Sequence, residues 1–319
     1  MTRTLAIDIG GTNFSVAIFD DEKLTAKATR PTDRAAGPVG MMDSIQEMVR
    51  KIAPLGKFDA CGIGFGGPVD FEEQKVFLSV QVPGWEGFDL IREVESRFGV
   101  QAVVDRDTMV GALGEGFYGV AKGVRPIFYI TVSTGVGGGL LTEHGLYRGK
   151  NSYAGEVGHH TVVPNGPLCL CGSRGCMERM CSGLWLQRDY GDTAENLLKF
   201  PVFVMKYVVY LAQGLKNTIM FLNPAMIVLG GGISKAGDAL FIPLRKELSR
   251  QMTSWSKASI NVQPASLRDE TILWGALKLA QLHFHFNDRS SIAHSIAGGN
   301  ENRIWFPGTD RCRGRVWRF

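Results

Sequence analysis

Three clusters of glycine, each directly after an apolar run, constrain the fold of this chain more than any other feature. The clusters are residues 10–11, 135–139 and 230–232, and they follow the apolar runs 5–9, 127–132 and 226–229. Glycine tolerates positive φ, and consecutive unblocked N–H groups in such a turn bind anions. A single cluster of this kind usually marks only a tight turn. Three clusters at strand ends favour a protein that binds the phosphates of a nucleotide.

The surroundings of these turns indicate the kind of nucleotide site. The chain has no Gly-x-x-x-x-Gly-Lys-Ser/Thr motif, so it is not a P-loop protein. The first glycine turn leads into a second strand pattern, which disfavours a Rossmann dinucleotide site. Two strand–turn–strand units, near residues 10 and 135, and a later glycine triplet resemble the actin-like ATPase fold. In that fold Asp8, beside the first turn, would orient Mg²⁺ through water, and the simpler alternative is that Asp8 caps the turn.

Hydrophobic periodicity predicts strands that alternate with helices. The predicted elements are a hairpin over 4–20, helices over 40–53, 107–117, 203–222 and 271–282, and strands over 61–65, 102–104, 127–132 and 226–229. This alternation indicates an α/β protein with mixed sheets. Lys122 and Gly123 interrupt the pattern and mark a boundary between two lobes. Residues 286–319 lack periodicity, and we expect a poorly ordered basic tail there.

Charge and composition argue against a nucleic-acid partner, a membrane span and secretion. The net charge is only +4, and the arginines of residues 286–319 supply much of it, so we expect no nucleic-acid partner. No apolar run is long enough for a membrane span, and the N-terminus lacks the pattern of a signal peptide. Three of the six cysteines lie within residues 169–176, which is not the spread of a disulfide framework. We therefore expect a cytoplasmic protein.

One histidine and three cysteines have the composition of a closed zinc site. They are His159, Cys169, Cys171 and Cys176. Three thiolates and one imidazole form a tetrahedral ligand set without an open position, so the ion would be structural. Three buried free cysteines or a redox-active pair are the alternatives. His160 competes as a ligand, and Cys181 is expected to pack on a helix.

Longer motifs point to a family. The most specific is Gly155-Glu-Val-Gly-His159 followed by Cys-x-Cys-Gly-x-x-Gly-Cys-x-Glu, which ends at Glu178. Supporting motifs are Asp8-Ile-Gly-Gly-Thr-Asn13, Gly62-Ile-Gly-Phe-Gly-Gly-Pro68-Val-Asp70, Val82-Pro-Gly-Trp85, Ser133-Thr-Gly-Val-Gly-Gly-Gly139 and Leu229-Gly-Gly-Gly-Ile233. Over residues 3–283 the sequence resembles the ROK family of sugar kinases and repressors.

The resemblance implies a two-lobed kinase of the duplicated, ribonuclease H-like actin fold, with ATP and a sugar bound in the cleft between the lobes. The predicted lobes are residues 1–122 and 123–285, and the last helix, near 271–283, is expected to return to the first lobe. The resemblance also implies Mg²⁺ with the ATP, a structural Zn²⁺ and a homodimer.

The resemblance further assigns roles to individual residues. Asp107 is the expected general base, which accepts the proton of the attacking sugar hydroxyl, and the alternative is that it only caps the following helix. The predicted sugar contacts are Gly67, Arg106, Glu156, His159 and Glu178. The predicted nucleotide contacts are Asp8, Gly10, Gly11, Thr12, Asn13, Thr134, Gly135, Gly137, Gly138, Gly231 and Gly232. His159 would bind zinc through one ring nitrogen and a sugar hydroxyl through the other.

Two residues depart from the family pattern. Arg106 stands where the family usually has Asn, and Met109 replaces a second Asn. Asn both donates and accepts hydrogen bonds, whereas Arg only donates, so we expect an altered sugar preference. An arginine there would also stabilise the Asp107 anion and weaken it as a base. The alternative is that Arg106 turns away and pairs with Asp105 or Glu115 at the surface.

The sequence therefore favours ATP-dependent phosphorylation of a free hexose at its 6-hydroxyl, with glucose as the default substrate by family frequency. N-acetylmannosamine, N-acetylglucosamine, fructose and allose are alternative substrates. A sugar-sensing regulator is disfavoured, because the family's repressors carry a helix-turn-helix domain before the first strand, and here that strand begins by Leu5. A non-catalytic sugar-binding protein is favoured only by Arg106 and Met109.

Overall fold

The first sheet of the protein contains five strands and carries the N-terminal glycine turn. The computed structural model describes residues 1–54, 56–79, 82–253 and 261–284, and the predicted tail over 286–319 lies outside them. The strands up to residue 106 are β1 (Arg3–Ile9), β2 (Asn13–Asp20), β3 (Lys23–Pro31), β4 (Ala60–Phe65), β5 (Val69–Asp70), β6 (Lys75–Val76) and β7 (Ala102–Arg106). The sheet has the order β3-β2-β1-β4-β7, and β5 and β6 form a separate hairpin.

Three parallel strands of this sheet end at one edge. Strands β1, β2 and β3 are antiparallel neighbours, whereas β4 and β7 are added in parallel to β1. In the observed register Ile9 pairs with Phe65, and Phe65 pairs with Arg106. Gly10, Gly66 and Asp107, which follow these residues in the chain, therefore lie at the carboxyl edge of the sheet. In open α/β sheets this edge is where ligands bind.

The second sheet repeats the arrangement of the first. Its strands are β8 (Ile127–Val132), β9 (Val136–Thr142), β10 (Gly145–Tyr147), β11 (Met226–Gly230) and β12 (Val262–Pro264), in the order β10-β9-β8-β11-β12. Here too a three-stranded antiparallel meander is followed by two parallel strands. The two strand–turn–strand units near residues 10 and 135 are therefore part of a repeat of sheet topology. The predicted α/β class with mixed sheets is confirmed.

The helices cover the sheets with apolar stripes. They are α1 (Gly37–Ile52), α2 (Leu90–Phe98), α3 (Asp107–Phe117), α4 (Met177–Cys181), α5 (Gly183–Tyr190), α6 (Ala194–Leu197), α7 (Pro201–Leu222), α8 (Asp238–Gln251) and α9 (Thr271–His283). Helix α7 begins with Pro201 in its first turn and is capped after Leu222 by Asn223, which has a left-handed conformation (φ 41°). These are ordinary start and stop signals of a helix. Within the described residues, no helix has the length and apolar character needed to cross a bilayer.

Each sheet has its own hydrophobic core. Buried residues of the first sheet pack with α1 and α2, and those of the second sheet pack with α7 and α8. Helices α3 and α9 pack on each other, and α9 also contacts β1 and β4 of the first sheet. Residues 118–126 connect α3 to β8 and so separate the two sheets along the chain. The lobe boundary at residues 122 and 123 stays a prediction.

Candidate active site

Asp107 is the first residue of α3, at the edge where β1, β4 and β7 end. Its Oδ2 lies 3.7 Å from the position that a Cβ on Gly66 would occupy, and the Gly66 amide donates to Ile9 O at 2.8 Å. Gly67 follows at the same edge. The N-cap of α3 is Arg106, and its side chain makes no capping bond. Asp107 stands one position further on, inside the first turn, where the helix dipole favours a negative charge and its carboxylate accepts the Thr108 amide. A role in stabilising the helix start is therefore compatible with the predicted role as base.

The carboxyl groups of Asp8 and Asp107 are partly enclosed and close enough to interact. Desolvation, together with repulsion by Asp107, raises the pKa of Asp8 to about 8. Desolvation also raises the pKa of Asp107 to about 6, while the Thr108 amide and Arg106 oppose the rise and Glu156 adds to it. A carboxylate whose pKa lies near the working pH is well suited to act as a general base. Two neighbouring carboxylates also provide the hard oxygen ligands that Mg²⁺ prefers.

The first and second glycine turns meet in space. Thr12 Oγ1 and Thr134 Oγ1 lie 3.0 Å apart, within hydrogen-bond distance. In the first turn Gly10 and Gly11 precede Thr12, and Asn13 begins strand β2. The structure therefore brings together two predicted phosphate-binding segments that are more than 100 residues apart in sequence.

The second turn is shorter than the sequence suggests. Strand β9 begins at Val136, so Gly137 and Gly138 are paired in the sheet and do not belong to the turn. The glycines here allow helix α3 to approach the strand, because a Cβ on Gly139 would stand 2.4 Å from Thr108 O. Glycine inside a strand often marks such a close backbone approach. The sequence pattern does not separate this packing role from a turn.

Glu178 and the third glycine cluster lie beside the same turns. The Val136 amide donates to Glu178 Oε2 at 3.0 Å, so this predicted sugar contact also supports the second glycine turn. Gly231 follows β11 with φ 82°, and a Cβ there would stand 2.4 Å from Val132 O. Gly232 begins a short 3-10 helix, Gly232–Ala236.

The four predicted zinc ligands form one cluster. The ligand atoms of His159, Cys169, Cys171 and Cys176 all lie within 4.8 Å of one another, whereas His160 is outside the group. Cys171 Sγ and Cys176 Sγ are 3.6 Å apart, and His159 Nδ1 is 4.0 Å from Cys169 Sγ. Sulfur ligands at 2.3 Å from a tetrahedral zinc would be about 3.8 Å apart, so the donor set and its spacing fit Zn²⁺. Cys181 is buried at the end of α4, as expected.

Arg106 pairs with another predicted sugar contact. Its side chain is only 6% exposed, Nη1 donates to Glu156 Oε1, and Nη2 donates to Ala154 O. The Glu156 side chain is 42% exposed, so it remains accessible although it is paired with Arg106. The alternative that Arg106 pairs with Asp105 or Glu115 at the surface is wrong.

Asp105 and Glu115 have other partners. Asp105 accepts from Arg148 Nε at 2.8 Å, and the fully buried Glu115 accepts bonds from Ser266, Leu267 and other residues near the start of α9. Sequence reasoning missed Arg148 altogether. Its position 43 residues from Asp105 carries no local signal, because the pairing depends on how the two sheets come together.

Comparisons with known proteins agree with this architecture. A sequence profile of the ROK family matches residues 4–283. A glucokinase of Thermotoga maritima is 31% identical over 275 residues, which cover 77% of this chain and 87% of that glucokinase. A xylose repressor of Bacillus subtilis is 27% identical over 258 residues, 76% of this chain and 67% of the repressor. The crystal structure of a ROK family glucokinase from Streptomyces griseus, in complex with glucose and AMPPNP, matches with a TM-score of 0.76 at 27% identity, covering 88% of this chain and 99% of that one.

The repeated sheet topology, the paired glycine turns and these relatives define an ATP-dependent sugar kinase with the actin-like ATPase fold. Within that class, the chain belongs to the ROK family.

Proposed function

We propose that this kinase phosphorylates a free hexose at its 6-hydroxyl and that glucose is its principal substrate. The observation that carries the proposal is the place of Asp107, whose carboxylate has a pKa of about 6 at the edge where β1, β4 and β7 end. The glucokinase relative and the glucose complex of the Streptomyces griseus enzyme support glucose as the substrate.

In this proposal Asp107 accepts the proton of the 6-hydroxyl as the hydroxyl oxygen attacks the γ-phosphorus of ATP, and the bond between the γ-phosphorus and the ADP oxygen breaks. The amides of the first two glycine turns and the hydroxyls of Thr12 and Thr134 hold the phosphates. Asp8 would orient Mg²⁺, and Mg²⁺ held there would neutralise phosphate charge and favour the ionised forms of Asp8 and Asp107.

The Cys and His cluster would fix one wall of the sugar site. His159 Nδ1 faces the sulfur atoms, which leaves Nε2 to bond a sugar hydroxyl. Zn²⁺ in this closed ligand set supplies a rigid anchor and no reactive position. His159 and Glu156 lie at the two ends of one 3-10 turn, so the anchor also restrains Glu156.

Arg106 supports a second candidate substrate. Because Arg106 neutralises Glu156, that carboxylate is a weaker acceptor for sugar hydroxyls. The remaining N–H groups of Arg106 suit an acceptor on the sugar, such as the carbonyl oxygen of an N-acetyl group. We therefore keep N-acetylglucosamine and N-acetylmannosamine as alternatives. A non-catalytic regulator that binds sugar is the alternative to an enzyme. The ion pair between Arg106 and Glu156 and the similarity to a xylose repressor favour it.

A coupled assay of ADP release over hexoses and N-acetylhexosamines tests the proposal. Sugar-dependent release that is fastest with glucose supports it, and faster release with an N-acetylhexosamine selects the second substrate class. Binding of a sugar without ADP release from any of them would replace the proposed kinase with the regulator.

A further inference from the structure

Residues 148–156 connect β10 to the 3-10 helix Val157–His159 and carry Glu156. Several contacts tie this segment to the end of β7 and to the β5–β6 hairpin. Near its end, Arg106 donates to Glu156 and to Ala154 O. In its middle, the Phe71 amide donates to Ser152 Oγ at 3.2 Å.

Arg148 makes the corresponding contacts at the start of the segment. Its Nε donates to Asp105 Oδ2 at 2.8 Å, and its guanidinium carbon lies 3.5 Å from the centre of the Phe71 ring. Asp105 is only 1% exposed, and its other oxygen accepts the Arg106 amide at 2.8 Å. A buried carboxylate needs such partners, since desolvation otherwise disfavours its charged form. Arg148 is thus held by a charge and by an aromatic face.

The two ion pairs share neighbouring residues at one end. The consecutive residues Asp105 and Arg106, at the end of β7, bind Arg148 and Glu156, which stand at opposite ends of the segment. The next residue in the chain is Asp107. A shift of the segment would therefore move Glu156 relative to the proposed base.

We propose that Arg148 is a positioning residue for sugar binding. By pairing with Asp105 and lying over Phe71, it fixes residues 148–156 against the end of β7 and so sets the distance between Glu156 and Asp107. The functional part of this inference rests on the proposed sugar kinase activity. The structural part, that Arg148 immobilises the segment, does not.

Kinetics test the functional part through Arg148→Met, which keeps an apolar stem against Phe71 but removes the charge. Loss of a charge-assisted hydrogen bond should raise the glucose KM by roughly 10- to 100-fold. The KM for ATP should change less than about twofold, because the partners of the Arg148 side chain, Asp105 and Phe71, are not among the residues proposed to hold the nucleotide. Asp105→Asn should also raise the glucose KM, and the double variant should be no worse than the worse single variant, as expected for one shared interaction.

Arg97→Met is the matched control. Arg97 is itself largely buried and forms ion pairs with Asp43 of α1 and with Glu93 of its own helix α2, and neither partner belongs to the proposed site. This variant should leave the glucose KM unchanged. An unchanged glucose KM in Arg148→Met, with an active wild-type enzyme, overturns the inference.

Amide hydrogen exchange tests the structural part without turnover. Exchange over residues 149–156 should accelerate by roughly tenfold or more in Arg148→Met and stay unchanged in Arg97→Met. Faster exchange in a protein that phosphorylates no sugar would remove the proposed function and keep the immobilising role of Arg148. Unchanged exchange in Arg148→Met overturns the inference whether or not the protein phosphorylates a sugar. If Arg148→Met does not fold, the same measurement is made with Arg148→Lys, which lacks the planar group over Phe71. Exchange over residues 149–156 should again be faster than in the wild type, and unchanged exchange would again overturn the inference.

Discussion

Replacement of Asp107 by Asn should inactivate the enzyme and stabilise its fold at the same time. Asn has nearly the same size, but it cannot accept the proton of the sugar hydroxyl. Loss of a general base should lower kcat by roughly 10²- to 10⁴-fold. The stability gain is expected because the substitution removes a carboxylate that the fold holds in a partly desolvated place, near Asp8 and Glu156.

The size and pH dependence of this gain follow from the pKa of Asp107, which rises from 3.8 to about 6. At about 1.4 kcal/mol per pH unit, ionisation of Asp107 destabilises the folded state by about 3 kcal/mol relative to the unfolded chain. This destabilisation is complete well above pH 6. It decreases as the pH falls through the folded pKa and disappears below about pH 3, where the carboxyl is protonated in both states.

Urea unfolding without nucleotide or Mg²⁺ measures the effect. Asp107→Asn should be more stable than the wild type by about 3 kcal/mol at pH 8 and by about half as much at pH 5. The control is Asp89→Asn at the start of α2, where an exposed carboxylate caps the helix by accepting the Arg92 amide. Asn caps equally well, so this control should change stability by less than about 0.5 kcal/mol and leave kcat unaltered. Near-normal kcat in Asp107→Asn, or a stability difference that does not depend on pH, refutes the reasoning.

Three further predictions concern the pH profile, the metal and the sugar preference. The kcat/KM for glucose should fall by up to tenfold per pH unit once the pH drops below the pKa of Asp107, which is about 6 in the free protein and lower with Mg²⁺ bound, because only ionised Asp107 accepts a proton. A profile that stays flat down to pH 4 contradicts the assignment. Elemental analysis should find one zinc per chain, and the Cys171→Ser variant should lose the zinc and bind sugar more weakly. The control Cys61→Ser, which alters a buried cysteine of β4, should keep the zinc. If Cys171→Ser changes neither zinc content nor sugar binding, the cluster is only buried cysteine. Arg106→Asn should change the ratio of kcat/KM between glucose and N-acetylglucosamine by roughly 10- to 100-fold, and an equal change for all sugars would end the proposed role in specificity.

Local pattern was sufficient to predict much of the fold. The run before Gly10 forms β1, the helical spacing after Asp107 forms α3, and the Asn223-Pro224 stop ends α7 at Leu222. The predicted length of the second glycine turn was wrong, because β9 already begins at Val136. Glycine at 137–139 has the same appearance whether it turns the chain or lets another backbone approach, and only the packing of α3 on β9 separates the two.

The site was less predictable, because its decisive contacts join distant parts of the chain. The spacing of residues 159–176 indicates a metal cluster, since its ligands lie close together in sequence. In contrast, no local pattern indicates that Arg106 reaches Glu156 or that Arg148 reaches Asp105, as each pair spans more than 40 residues. A donor-only arginine at 106 could be recognised as unusual from the sequence, but its partner depended on the assembled sheets.

Phosphorus NMR of the product formed from glucose and ATP tests the central claim most directly. We predict a new phosphate monoester whose phosphorus couples to two methylene protons, as for a phosphate on the oxygen of carbon 6, and its formation should stop in Asp107→Asn. An ester that couples to a single proton would place the phosphate on a ring or anomeric hydroxyl. That result, or no ester with a sugar that binds, would contradict the account.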